Sequence, residues 1–256
     1  MDPRDRILSN PKIYRMDTNE DDRSNIEPHI YFYVGIILYI VATIYFIFFS
    51  PVFKIKHVIV EGEPSGDLNH QVEAFKGRNI LFIGNLANEL KNKELDIKTV
   101  RIYRGLPDTI KISFSPREQA IIWSTDGKNY LIDEEGIDYK EISDQEKLGL
   151  NLPIVIDREN VPIKLGAQAV SSQFLSTIKK LTENCFSKTQ EEVDRFEVGE
   201  TTFQIEVITK SKIKIIFDTL RNIDDQLDTA RDILTAHRAE IKEYLDVRVD
   251  GWVYYK

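Results

Sequence analysis

Between Ile30 and Phe49 the chain runs for twenty residues without a charged side chain, and only a few residues later "FKIKHVIVEG" begins to alternate like a strand. At ~1.5 Å of rise per residue, a helix of that length crosses the roughly 30 Å hydrocarbon core of a bilayer. A core helix of a soluble protein rarely stays apolar on every side for so long, so residues 30–49 read as a transmembrane helix. Tyr31, Phe32 and Tyr33 at one end, with Phe48 and Phe49 at the other, resemble interfacial belts. A cleaved signal peptide fits less well. Twenty-nine mostly polar residues come first, and "SPVFK" offers no small-residue cleavage pattern. The basic flanks nearly balance, with Arg15 and Arg23 before the span and Lys54 and Lys56 after it. The asymmetry of length therefore sets the expected orientation, with a short disordered tail (1–29) in the cytoplasm and the bulk of the chain outside.

Of the formal net charge of −8, −2 falls before the span and −6 after it. That balance argues against nucleic acid, which requires a basic stripe, and against an anionic bilayer surface as the main partner. Cys185 is the only cysteine, so no intrachain disulfide forms and the outer part depends on its hydrophobic core.

Beyond the span the first elements read as β-α-α-β-β. A strand over 53–62 switches its apolar phase between Ile55 and Val58, suggesting a bulge or twist. Leu68, Val72 and Phe75 share a helical face that ends at Gly77, and Asn85 precedes a short helix with Leu86 and Leu90 inward. "VRIYRGLPDTIKISF" reads as strand, turn, strand. From Ala120 the pattern is richer in strands. A hairpin turns at "DGK", and further strands are expected at "LPIVID", "DRFEV", "TFQIEVI" and "KIKIIF". "ISDQEKLGLN" reads as a loop. One helix is expected through Val170, Phe174, Ile178 and Leu181, and another through Leu227, Leu234, Ile241 and Leu245. "DVRVDGWVYYK" closes the chain as a strand or a kinked pair of strands.

The β-α-α-β-β order directly behind a single span resembles a POTRA module, and with the remaining residues it resembles the FtsQ/DivIB family of bacterial cell-division proteins. Five stretches carry the likeness in order. They are the strand through Phe53, Ile55, Val58, Val60 and Gly62; "GRNILFI"; the strand pair through Val100, Arg104, Pro107, Thr109, Ile110 and Ile112; "AIIW" followed by "YLIDEEG"; and the closing "YLDVRVDGWVYYK". The chain departs from the family pattern in placing Pro116 within "SPREQA", in having Ser211 where the family has a glycine, and in having Asp218-Thr219 for its Leu-Gly. The resemblance implies an α+β fold: a transmembrane helix over 30–49, a POTRA domain over 53–117 and a mixed, strand-rich β domain with helices over 118–256. It also implies a non-catalytic scaffold at the division septum that holds FtsB/DivIC-like and FtsL-like membrane proteins.

Chemistry is sparse. His29, His57, His70 and His237 show no metal-ligand spacing, and no nucleotide or nucleophile motif is present. Asp133, Glu134 and Glu135 read as a solvated turn before Gly136, and Asp224, Asp225 and Asp228 as acids favouring a helix N-terminus. No cofactor, metal or small-molecule substrate is expected. Candidate partner-binding residues are Trp252, Tyr254 and Tyr255, because large aromatics serve as interface anchors, with Val253 added by the resemblance. The resemblance implies that this terminal strand receives a strand from the FtsB/DivIC-like partner, contacted by Trp252, Val253, Tyr254 and Tyr255. Strand alternation leads to the expectation that only one of Trp252 and Tyr254 faces it. Arg101 and Arg104, beside the first hairpin, and Lys210, Lys212 and Lys214, read as alternating on one strand face, are secondary candidates. Two other functions compete: an anchored outer-face enzyme acting on cell-wall polymer, and a POTRA-bearing export component.

Overall fold

A computed structural model describes residues 28–62 and 66–256. Its first helix, α1 (Pro28–Phe49), covers the uncharged stretch and starts two residues before Ile30. It is apolar on all sides and none of it is packed inside the protein, the pattern of a helix whose solvent is lipid. The disordered tail expected over 1–29 lies outside the described residues, except for Pro28 and His29, which open α1.

Next come β1 (His57–Glu61), α2 (Gly66–Glu73), α3 (Leu86–Lys91), β2 (Ile97–Gly105) and β3 (Thr109–Pro116). β3 is central, parallel to β1 and antiparallel to β2. The parallel pair is possible because a long connection, α2, α3 and then β2, lies between its strands. Ile110, Ile112 and Phe114 alternate inward from β3 and pack with Leu68, Val72, Phe75, Leu86 and Leu90. The first strand is shorter than expected. The amides of Lys56 and His57 both donate to the Asp108 carbonyl, at 2.8 and 3.2 Å, and Ile55 turns into the core just before them. That irregularity is the phase switch between Ile55 and Val58. "ILF" forms a 3-10 turn instead of continuing the apolar run, because the Asn79 side chain accepts from the Leu81 amide at 2.9 Å.

The remaining strands form one nine-stranded sheet, in the order β12-β11-β10-β9-β8-β7-β4-β5-β6. They are β4 (Gln119–Thr125), β5 (Lys128–Asp133), β6 (Asp138–Ile142), β7 (Ile154–Asp157), β8 (Val193–Val198), β9 (Gln204–Thr209), β10 (Lys214–Asp218), β11 (Tyr244–Asp246) and β12 (Tyr254–Tyr255). Between them lie α4 (Asp144–Gly149), α5 (Ser172–Thr189) and α6 (Ile223–His237). β7 and β8, like β10 and β11, run parallel, and α5 and α6 make those two crossovers side by side. Phe174, Ile178 and Leu181 of α5 and Leu227, Ala230 and Leu234 of α6 share a core with Phe196, Val207, Ile215 and Phe217 of the sheet. At the β4–β5 hairpin, Asp126 and Gly127 take φ of 48° and 72°, the left-handed pair that a tight two-residue hairpin needs.

Three further expectations are corrected. "ISDQEKLGLN" is not a plain loop: it contains α4, opened by a reciprocal capping box between Ser143 and Glu146. The last long helix stops at His237; Ile241 is buried after the helix ends, and Leu245 is taken into β11 by pairing with Ile215. The three lysines do not alternate along a strand. β9 ends at Thr209 and β10 begins at Lys214, so Lys210 and Lys212 sit in the turn, with Lys212 at a φ of 66°.

Candidate partner-binding surface

The sheet ends in β12, a two-residue edge strand held antiparallel to β11 through Leu245↔Tyr255 and Asp246↔Tyr254. The Lys256 carbonyl accepts from the amides of Lys242 and Glu243 at 2.8 and 2.7 Å, so the short strand is tied down beyond its own ladder. Within residues 252–255 the side chains alternate. Val253 packs against the main core. Tyr255, 37 % exposed, lies on the end of α6, stacking on His237 at 5.6 Å and donating to Glu240 at 3.0 Å. Those bonds from His237 and Tyr255 hold the Glu240 carboxyl below its ordinary value. Trp252 and Tyr254 are 68 % and 54 % exposed. The expectation that only one of those two rings faces outward is therefore corrected: residues two apart share a strand face, and both are presented.

The loop that delivers Trp252 is rigidly stapled. Arg248 bonds Asp246 through Nε at 2.9 Å and through a terminal nitrogen at 2.6 Å, and it also reaches Gln204. Burial works to raise the Asp246 carboxyl, but the Arg248 bonds outweigh it and leave the group below its ordinary value. Arg221 donates to the Arg248 carbonyl and pairs with Asp250 at 3.2 Å, and the Val247 amide donates to Ile216 at 3.1 Å.

Strand direction adds residues that the sequence did not mark. The C-terminal ends of the parallel strands β10 and β11 adjoin the start of β9, so Leu220, Val249 and Phe203 emerge at the same end of the sheet as Trp252. All three are exposed. The Thr219 amide donates to the Phe203 carbonyl at 2.8 Å, which ties two of these segments together. Isolated apolar residues at strand ends carry no periodicity, so only topology reveals them.

The secondary candidates are not brought to this surface. Lys210 and Lys212 lie in the turn at the opposite end of β9 and β10. Lys210 pairs with Glu192 and Lys214 with Glu206, the latter at 2.8 Å, so much of their charge is compensated within the chain. Arg101 and Arg104 are exposed on β2, an edge strand of the other sheet, opposite Ser113 and Ile110.

Among the described residues, one helix long and apolar enough to cross a membrane is followed by a β-α-α-β-β unit and a large mixed sheet with an aromatic-bearing edge, an α+β fold compatible with a membrane anchor. No family model matches the chain. It is 31 % identical over 147 residues to the cell division protein FtsQ of Rickettsia typhi, covering 56 % of this chain and 51 % of that one. It is 34 % identical over 110 residues to that of Rickettsia felis (41 % of each) and 39 % identical over 89 residues to that of Rickettsia bellii (33 % of each). The matches span from a third to about half the length of these curated relatives. Over these stretches the chain is similar to FtsQ cell-division proteins, which supports the FtsQ resemblance.

Proposed function

We propose that the chain is a non-catalytic scaffold of the division septum, with residues before α1 in the cytoplasm and both sheets outside. In this reading residues 53–117 and 118–256 are two units of one rigid arm. The β12 edge receives an added strand from an FtsB/DivIC-like partner, and the scaffold holds an FtsL-like protein as well. The observation that carries the reading is β12 itself, which has no neighbour on its outer edge among the described residues, with two large exposed rings beside it. An uncovered edge offers main-chain donors and acceptors for affinity, and alternate side chains for specificity. Trp252 and Tyr254 supply the side chains, while Val253 and Tyr255 hold the strand to its own sheet.

Trp252→Ala and Tyr254→Ala are each expected to weaken binding of the small coiled-coil partner by about 2 kcal/mol or more, roughly thirtyfold in Kd. Because both rings are exposed, unfolding of the large sheet should stay cooperative at an unchanged denaturant midpoint. Titration of a labelled partner against the full chain reads the first effect, and urea unfolding reads the second. Normal binding by both variants moves the partner site elsewhere.

A further inference from the structure

The "GRNILFI" stretch has a role that the edge strand does not absorb. The last four carbonyls of any α-helix lack an intrahelical donor, and at a membrane surface leaving them unpaired is costly. The Ser50 amide donates to Phe46 at 2.9 Å. The next two carbonyls are taken by a side chain from the first sheet unit: Asn79 Nδ2 donates to Ile47 at 2.8 Å and to Phe48 at 3.2 Å. Asn79 meanwhile accepts from the Leu81 amide, so one amide group closes α1 and opens the 3-10 turn at Ile80–Phe82. Beside it the Phe82 ring stacks on Phe48 with centroids 4.2 Å apart, and Phe53 meets Phe46 edge-on at 6.2 Å.

This fixes a depth. Phe48 belongs to the last turn of the span, and a ring stacked on it lies at the same level. Phe82 and Val52 are nevertheless exposed to whatever surrounds the protein there, and Arg78 and Lys54 flank them, both exposed. Aromatic rings with cations just beyond them suit the headgroup boundary of a bilayer. We propose that the Arg78–Phe82 segment is seated in the bilayer interface, with Phe82 inserted at the level of Phe48 and Asn79 locking the first sheet unit to the end of α1. The unit then stands at one height and one angle on the membrane. This rests on α1 as the membrane span.

The test uses the full chain in nanodiscs of phosphatidylethanolamine and phosphatidylglycerol, in a Cys185→Ala background. Nitroxide labels are placed at single cysteines replacing Phe82, Val52, Leu38 in mid-span, and Leu148 on exposed α4. Power-saturation measurements with oxygen and with a water-soluble nickel chelate report depth. The labels at 82 and 52 are expected to be several-fold less accessible to the chelate than the label at 148, and Asn79→Ala should shift them toward the aqueous value. Aqueous values at 82 and 52 with a lipid value at 38 would overturn the seating and leave the span intact. An aqueous value at 38 would overturn both. Unchanged depth in Asn79→Ala would remove Asn79 from the lock.

Discussion

Asp133→Ala is expected to lower the unfolding free energy by about 3–5 kcal/mol and to open the chain to trypsin after Arg117. Arg117 lies in the short connection between β3 and β4, yet its side chain is only 8 % exposed and that of its partner Asp133 only 1 %. Its guanidinium bonds the Asp133 carboxylate, its Nε donates to the Leu95 carbonyl at 2.7 Å, and its amide donates to Asp96 at 2.8 Å. The other Asp133 oxygen accepts from the amides of Glu135 and Ile137, both at 2.9 Å, closing the turn after β5. One buried pair thus joins the turn before β2 to the end of β5, one sheet unit to the other. Exposed pairs such as Lys111–Glu61 are worth about 0–1 kcal/mol at most, whereas removing Asp133 leaves the buried Arg117 charge with only the more distant Glu135 carboxylate at 3.9 Å. Asp133→Asn keeps an acceptor for the two amides and should lose less than Asp133→Ala. Urea unfolding followed by the buried Trp123 gives the energy, and timed proteolysis gives the opening of the junction. A shift under about 1 kcal/mol, with the bond after Arg117 still resistant, would show that the pair does not hold the two units together.

The same pair shows where the sequence stops being readable. "DEEG" reads as a solvated turn, and Gly136 does turn there, with a φ of 83°. Nothing local tells Asp133 from its two acidic neighbours, because its partner arrives from another unit. The β-α-α-β-β order, the Asp-Gly hairpin and the body of α5 were legible, since each depends on periodicity or on one turn residue. β6 was not: its buried residues begin with Asp138 and Tyr139, and no apolar alternation announces it. α4 was marked only by its Ser-x-x-Glu cap, because none of its side chains is buried. The continuation of the α6 period through Ile241 and Leu245 misled, because Ile241 packs into the core beyond the helix end and pairing with β10 captured Leu245 for the sheet. At the candidate surface the aromatics at 252, 254 and 255 were visible as residue types. Their neighbours Phe203, Leu220 and Val249 depend on strand order, which nonlocal parallel pairing sets.

Asp138 carries the second large effect, and its sign depends on pH. Its amide donates to Ala167 at 3.1 Å and its carbonyl accepts from Gly166 at 2.7 Å, so the backbone is pinned between β5 and the 166–167 turn. The residue is 0 % exposed, and neither carboxylate oxygen has a partner in good hydrogen-bond geometry, the Lys140 amide making only a poor contact with the carboxylate. Burial pushes the carboxyl from its ordinary 3.8 up to about 6; the Lys140 amide offsets part of that, and the nearby charge of Glu141 adds to it. Between those two values the folded chain keeps a proton that the unfolded chain has released. Stability therefore falls as pH rises through the window, and above about pH 6 the full penalty applies, about 2–3 kcal/mol. Asp138→Asn removes the titration but not the buried amide's need for partners, so its absolute effect mixes two costs. The difference between conditions separates them. The substitution should be more favourable at about pH 8 than at about pH 4 by most of that 2–3 kcal/mol, in urea unfolding of the full chain in detergent micelles. Other titrating groups cancel when wild type and variant are compared at each pH. Equal effects at both values would mean that the carboxylate stays solvated and that its burial costs the fold nothing.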